Sequence, residues 1–154
     1  MKTADIERRA RGARRVFVFS ASSASSAFLV YLVLTLALTW PLARGLAHDV
    51  PSDFGDPLFT MWVMAWDATH LGPGWWNANI FHPHPLGLAY SEHFLPQALQ
   101  ALPVYLVTAN PILGYNLVFL STFVLSGLGM YLFTRDLTGR WESAMLAGLA
   151  YAFA

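Results

Sequence analysis

ILGYNLVFLSTFVLSGLGMYLF, residues Ile112 to Phe133, is a run of 22 residues without a charge. About 20 predominantly apolar residues are enough for a helix to cross the hydrocarbon core of a bilayer. Ser126, Gly127 and Gly129 within it provide a small-residue face for close helix packing. Asn110-Pro111 stands just before it, an N-cap residue followed by a proline suited to the first helical turn. Arg135 and Arg140 follow it, and basic flanks mark a cytoplasmic end. The expected span is 111–134. Composition agrees, since the 154-residue chain is 56% hydrophobic and only 12% charged, against about 25% charged in a typical soluble domain. An all-α, polytopic membrane protein is the expected fold class.

Upstream, six of the nine Lys and Arg lie in residues 1–15. This basic leader reads as a cytoplasmic flank, and so apolar a neighbour argues against a nucleic-acid partner. Residues 16–46 follow as a first transmembrane helix, read as one continuous element with Trp40 and Pro41 at its far interface. A cleaved signal peptide would also begin this way, with Gly45 and Ala47 small enough for a cleavage site. The later span favours a retained anchor. Downstream, 141–154 opens a third apolar helix too short to cross a bilayer. The sequence therefore reads as the N-terminal fragment of a larger polytopic protein, with the polypeptide beyond Ala154 as its partner. The chain has no Cys, so thiolate metal sites and disulfides do not arise.

Between the first two spans, 47–110 holds no Lys or Arg but contains Asp49, Asp53, Asp56, Asp67 and Glu92. That imbalance places it on the extracytoplasmic side. Interfacial helices are expected near 57–71 and 94–107, the second kinked at Pro103. Asp56-Pro57 repeats the cap-and-proline signal, with Asp56 as N-cap. At about 100° per residue, Asp56, Thr60 and Asp67 share a narrow sector, which predicts an acidic stripe facing a cavity. Phe59, Trp62 and Trp66 fall toward the opposite side.

Two acidic constellations stand out. Asp53 and Asp56 form a D-x-x-D pair around Gly55, and two such carboxylates suit a general base and an electrostatic or metal-binding partner. Their ordinary alternatives are an Asx turn at Asp53 and a helix cap at Asp56. Tyr90-Ser91-Glu92-His93 offers Glu92 as a further acid and His93 as an anion or proton contact, or simply a helix start capped by Ser91. His82, His84 and His93 lack convincing zinc-ligand spacing. Asp67 and His70 read as the polar end of the loop helix. Trp62, Trp66, Trp75 and Trp76 suit a sugar platform, a lipid-tail groove or an interfacial belt.

The pieces GDPLFTMWVMAWD, NANIFHPHP, AYSEH and LPVYLVTANPILGYN, in this order after a basic leader and one span, resemble the GT-C superfamily of membrane glycosyltransferases. The closest pattern is that of poorly characterised bacterial GT-C-like membrane proteins. GDPLFTMW is similar to the acidic-x-Asp-Pro-aromatic stretch in the first outer loop of oligosaccharyltransferase catalytic subunits, and Asp56 aligns with its key aspartate. The acid two positions earlier is replaced here by Phe54, with Asp53 next to it.

The resemblance implies a multi-pass protein of the bacterial inner membrane. It further implies transfer of a sugar from a polyprenyl-phosphate-linked donor at the outer face, among membrane lipid. Asp56 would be the catalytic base, with Asp53 and Glu92 supporting it. His93, Trp62 and Trp66 would contact substrate. Alternatively, Asp56 with Asp53 would hold a divalent cation, Mg or Mn, near the donor phosphate. A non-enzymatic transporter or flippase component is the alternative. Such proteins more often place ionisable groups inside their spans, whereas Val16–Leu42 and Ile112–Phe133 carry none.

Overall fold

The computed structural model describes residues 22–154. The basic leader and the first turns of the expected first helix lie outside the described residues. Among those described, every regular element is helical: α1 (Ser22–Leu38), α2 (Trp40–Arg44), α3 (Asp56–Thr69), a 3-10 turn (Gly87–Tyr90), α4 (Leu95–Thr108), α5 (Pro111–Thr138) and α6 (Trp141–Phe153). The chain divides into two compact units, and α5 contributes to both, through its first 11 residues in one and the remainder in the other.

α5 has 28 residues and a mean hydropathy of 1.8 over its most apolar window, so it is long and apolar enough to cross a membrane. At 1.5 Å per residue it runs for about 42 Å, beyond the ~30 Å hydrocarbon core. It ends four residues later than the sequence suggests. Arg135 and Asp136 continue the helix, and Gly139 stops it with φ +69°, where its N–H donates to the Arg135 carbonyl (2.8 Å).

The first unit contains residues 22–38 and 122–154 of the described chain. Ala27, Tyr31, Val124, Tyr131 and Ala144 form its core. Close approach depends on two glycines. A Cβ at Gly148 would fall on the Tyr31 hydroxyl and 2.6 Å from the Gly127 carbonyl oxygen, so the backbones meet there with no room for a side chain. The Tyr31 hydroxyl donates to the Met145 carbonyl at 3.3 Å. Arg135 donates to the Tyr131 hydroxyl (2.6 Å) and to Ser23 Oγ. Leu29, Val33, Leu125, Leu132 and Leu146 point outward, an apolar exterior of the kind a lipid surround stabilises.

The expected single helix over 16–46 is interrupted. α1 stops at Leu38, Thr39 forms a turn and α2 begins at Trp40. Pro41 has no N–H for the carbonyl one turn earlier, and its ring crowds that carbonyl.

The second unit is 39–121. α3 and α4 pack together, with Met64, Ala98, Ala101 and Val118 buried between them and the start of α5. α4 is continuous through Pro103. Tyr105 packs where α4 meets Gly114, and burial pushes its phenol up to about 12. Asn110 caps α5 as the sequence predicts, its Oδ1 accepting from the Leu113 N–H at 3.0 Å. Two asparagines of this region also fasten the loop after α2. Asn110 Nδ2 donates to the Ala47 carbonyl (3.1 Å), and the fully buried Asn116 donates to Leu46 (2.8 Å) and Asp49 (2.7 Å).

A Gly148→Ala variant should lose about 1–3 kcal/mol of stability, the usual cost of overpacking a close contact. Gly129→Ala meets open space and should be neutral or gain up to about 1 kcal/mol from helix propensity. Thermal unfolding of both variants in detergent would separate these outcomes.

Candidate functional site

The candidate site is assembled on the second unit from α3, the 72–94 segment and the loop that precedes α3. Phe59, Trp62, Trp66 and His70 follow one another at helical i, i+3 and i, i+4 spacing. They form a ring ladder with centroid separations of 6.2, 5.9 and 3.6 Å. The segment after α3 folds back over this ladder. Trp66 Nε1 donates to the Trp75 carbonyl at 2.9 Å, and Val63, Ala78 and Leu88 are buried beneath it. Trp62 and Trp66 are thus half-covered by the chain's own 72–90 segment.

Asp67 departs most from the sequence reading. The acidic stripe expected to face a cavity does not do so at this end of α3, where the Asp67 side chain is 0% exposed. Its Oδ1 accepts from Trp75 Nε1 (2.8 Å) and its Oδ2 from the Phe94 N–H (3.1 Å). Phe94 is the N-cap of α4 and makes no side-chain cap, so the acid of α3 satisfies a terminal N–H of a different helix. Its negative charge also lies at the positive end of the α4 dipole. His93 lies beside it, with Nε2 3.7 Å from Asp67 Oδ1 and its ring against Trp75 (4.7 Å) and Trp76 (5.3 Å). Only an acid set among apolar neighbours in the C-terminal half of α3, MAWDAT, hints at Asp67 in the sequence. Its partners stand 8 and 27 residues away.

The other sequence candidates lie at the surface. Asp53 is exposed, and its Oδ1 accepts from the Gly55 N–H at 2.9 Å, the Asx turn weighed above. Asp56 is exposed and is not the N-cap. Gly55 holds that position, without a side-chain cap, and Asp56 is already the first helical residue. Its carboxylate therefore has no capping bond, and its charge sits in the first turn, where the helix dipole favours it. Ser91 does not cap α4, which starts four residues later. Its hydroxyl donates instead to Glu92 Oε2 (3.1 Å), and Glu92 is exposed.

Among the described residues, no three His, Asp or Glu side chains form a group that could hold a metal ion. Glu92 does not complete a metal-binding trio with Asp53 and Asp56.

An open pocket of about 680 Å³ lies next to the acidic loop, lined by Pro41, Leu42, His48, Asp49, Pro51 and Phe54, among others. Asp49 is its acidic group, and its side chain lies directly over Gly45, where any Cβ would collide with it. The sequence reading gave Asp49 no chemical role.

No known protein family, curated protein or solved structure matches this chain.

Replacing Asp67 by Ala would leave the Trp75 indole and Phe94 amide donors unpaired, at about 1–3 kcal/mol for each buried group. A total loss of about 3 kcal/mol is expected in denaturation followed by tryptophan fluorescence. Asp53→Ala, at an exposed turn, should change stability by no more than about 0.5 kcal/mol.

Proposed function

We propose that this chain forms part of a membrane glycosyltransferase of GT-C type, which moves a sugar from a polyprenyl-phosphate-linked donor to an acceptor at the extracytoplasmic face. The observation that carries this reading is Asp56, an exposed carboxylate without a capping bond, on the loop-to-helix junction that follows the pocket-lining residues His48 to Phe54. α5 lends it a membrane setting, being long and apolar enough to cross a bilayer.

In this reading the acceptor hydroxyl attacks the anomeric carbon, and Asp56 takes the hydroxyl proton as the new carbon–oxygen bond forms. The bond from that carbon to the donor phosphate breaks, and the polyprenyl phosphate departs with the electron pair. A positioned base of this kind contributes ~10²–10⁴-fold. Asp53, whose Oδ1 is engaged by Gly55, keeps Oδ2 for a supporting role. One carboxylate plus donor phosphate oxygens can hold Mg²⁺, so Asp53 would be the residue to hold a divalent cation, which would stabilise the leaving phosphate while Asp56 stays free as base.

A second reading, a transporter or flippase component, draws on Arg135. That cation lies in the last turn of α5, half-buried and bonded to Tyr131 and Ser23. It stands just past the uncharged stretch Ile112–Phe133, a half-buried charge that the glycosyl-transfer reading leaves unused.

The deciding experiment is sugar transfer by membranes carrying the full-length protein. Asp56→Asn should lower transfer by at least about 10²-fold at unchanged protein level, while Arg135→Gln leaves it near wild type. Full transfer by Asp56→Asn would exclude Asp56 as the base. A reporter fused after Leu71 should signal from outside the cytoplasm, and a cytoplasmic signal would overturn the topology.

A further inference from the structure

The contact between Asp67 and His93 fixes more than packing. Asp67 accepts a hydrogen bond at each oxygen, from Trp75 Nε1 and from the Phe94 N–H. His93 Nε2 is buried and has no hydrogen-bond partner, and Asp67 Oδ1 lies 3.7 Å from it. A carboxylate offers only lone pairs. A ring nitrogen that faces one at this distance is favourably placed when it carries the hydrogen and unfavourably placed when it presents a lone pair. The proton of the neutral imidazole therefore belongs on Nε2, and Nδ1 keeps the lone pair. The His93 side chain is 26% exposed although Nε2 is buried, so the accessible part lies elsewhere on the side chain. The ring packs against both Trp75 and Trp76, which also contact each other, and Trp76 keeps 43% of its own surface accessible.

We infer that Asp67 is the positioning residue of His93, and that His93 Nδ1 together with the open surface of Trp76 forms a seat for a sugar ring. A sugar combines hydroxyl donors at its rim with an apolar C–H face. A fixed acceptor nitrogen next to an accessible indole matches both, and Trp gives large contact area together with a rigid surface. The inference rests on the glycosyl-transfer reading for the choice of sugar as the ligand class. It goes beyond that reading by naming a buried acid, a histidine tautomer and an indole surface as the means of recognition.

The test uses the full chain with ¹⁵N-labelled histidine in phosphocholine micelles, which carry no sugar headgroup. The sample is held at pH about 9, above the range in which imidazole ordinarily titrates. The His93 signals are assigned by their loss in His93→Gln. The expected result is a neutral His93 ring protonated at Nε2 in the wild type and a mixture of both tautomers in Asp67→Asn. Methyl glucoside, added as the probe, should shift the His93 Nδ1 resonance. Trp76→Ala should weaken that response by up to about tenfold, in line with the loss of one aromatic contact, and leave the tautomer unchanged.

A wild-type ring protonated at Nδ1 overturns the positioning role, whether or not Asp67→Asn folds. A His93 resonance that ignores the glucoside overturns the sugar seat. Loss of the glycosyl-transfer reading is separately visible, because membranes carrying the wild-type protein would then show no sugar transfer while the His93 response persists.

Discussion

The unit over 39–121 depends on one buried carboxylate. Asp67 joins three segments of chain that share no regular hydrogen-bonded element: the end of α3, the tryptophan pair after it and the first amide of α4. An uncompensated charge in an apolar interior costs several kcal/mol, so the acid tolerates burial only with its donors in place. The same requirement works in reverse on the donors. The Trp75 indole and the Phe94 amide would otherwise be orphaned, and the N-cap of α4, Phe94, makes no side-chain cap of its own. The ladder from Phe59 to His70 and the cluster around Val63, Ala78 and Leu88 then cover the α3 surface that the returning segment closes over.

Much of the helical layout was legible because its signals are local. Apolar length marked α5, and proline-led starts marked α3 and α5, whereas the Pro96 start of α4 and the Gly139 stop of α5 went unread. Expected and observed ends of α3, α4 and α6 agree to within two residues. The break at Thr39 was also written locally, in Pro41, but the continuous apolar pattern across it outweighed that proline. Asp67, Asn110 and Asn116 were harder for a different reason. The capping bond of Asn110 to Leu113 spans three residues and is predictable, whereas its bond to Ala47 spans 63 and Asn116's bonds span 67 and 70. Nothing in a residue's neighbours announces a partner at that separation.

Asp56-Pro57 and Asn110-Pro111 show how far one local signal can carry. Both put a short polar side chain before a proline, and both precede a helix. At 110 the side chain turns back and accepts from the amide three residues on, so the residue stays outside the helix as a cap. At 56 the backbone is already helical, Gly55 takes the cap position, and the carboxylate is left outside. The difference matters for chemistry, because a capping carboxylate has spent an oxygen on its own backbone. Asp53 has done so toward Gly55. Asp56 has not, which separates two acids that the spacing alone treats as equivalent.

Asp56 and Asp67 extend this contrast along a single helix. Eleven residues bring them to within about 20° of the same face, yet one is exposed and the other fully buried. Angular phase describes the direction in which a side chain leaves the axis. It contains no information about which turns of that face later receive another segment. The 72–94 chain returns over the C-terminal half of α3 because the ring ladder and Asp67 give it partners there. About 16 Å along the axis separates the two acids, taking 1.5 Å per residue, and Asp56 stays outside that cover. A helix with a uniform acidic stripe in its sequence is thereby divided into a buried end that organises structure and an open end free for chemistry.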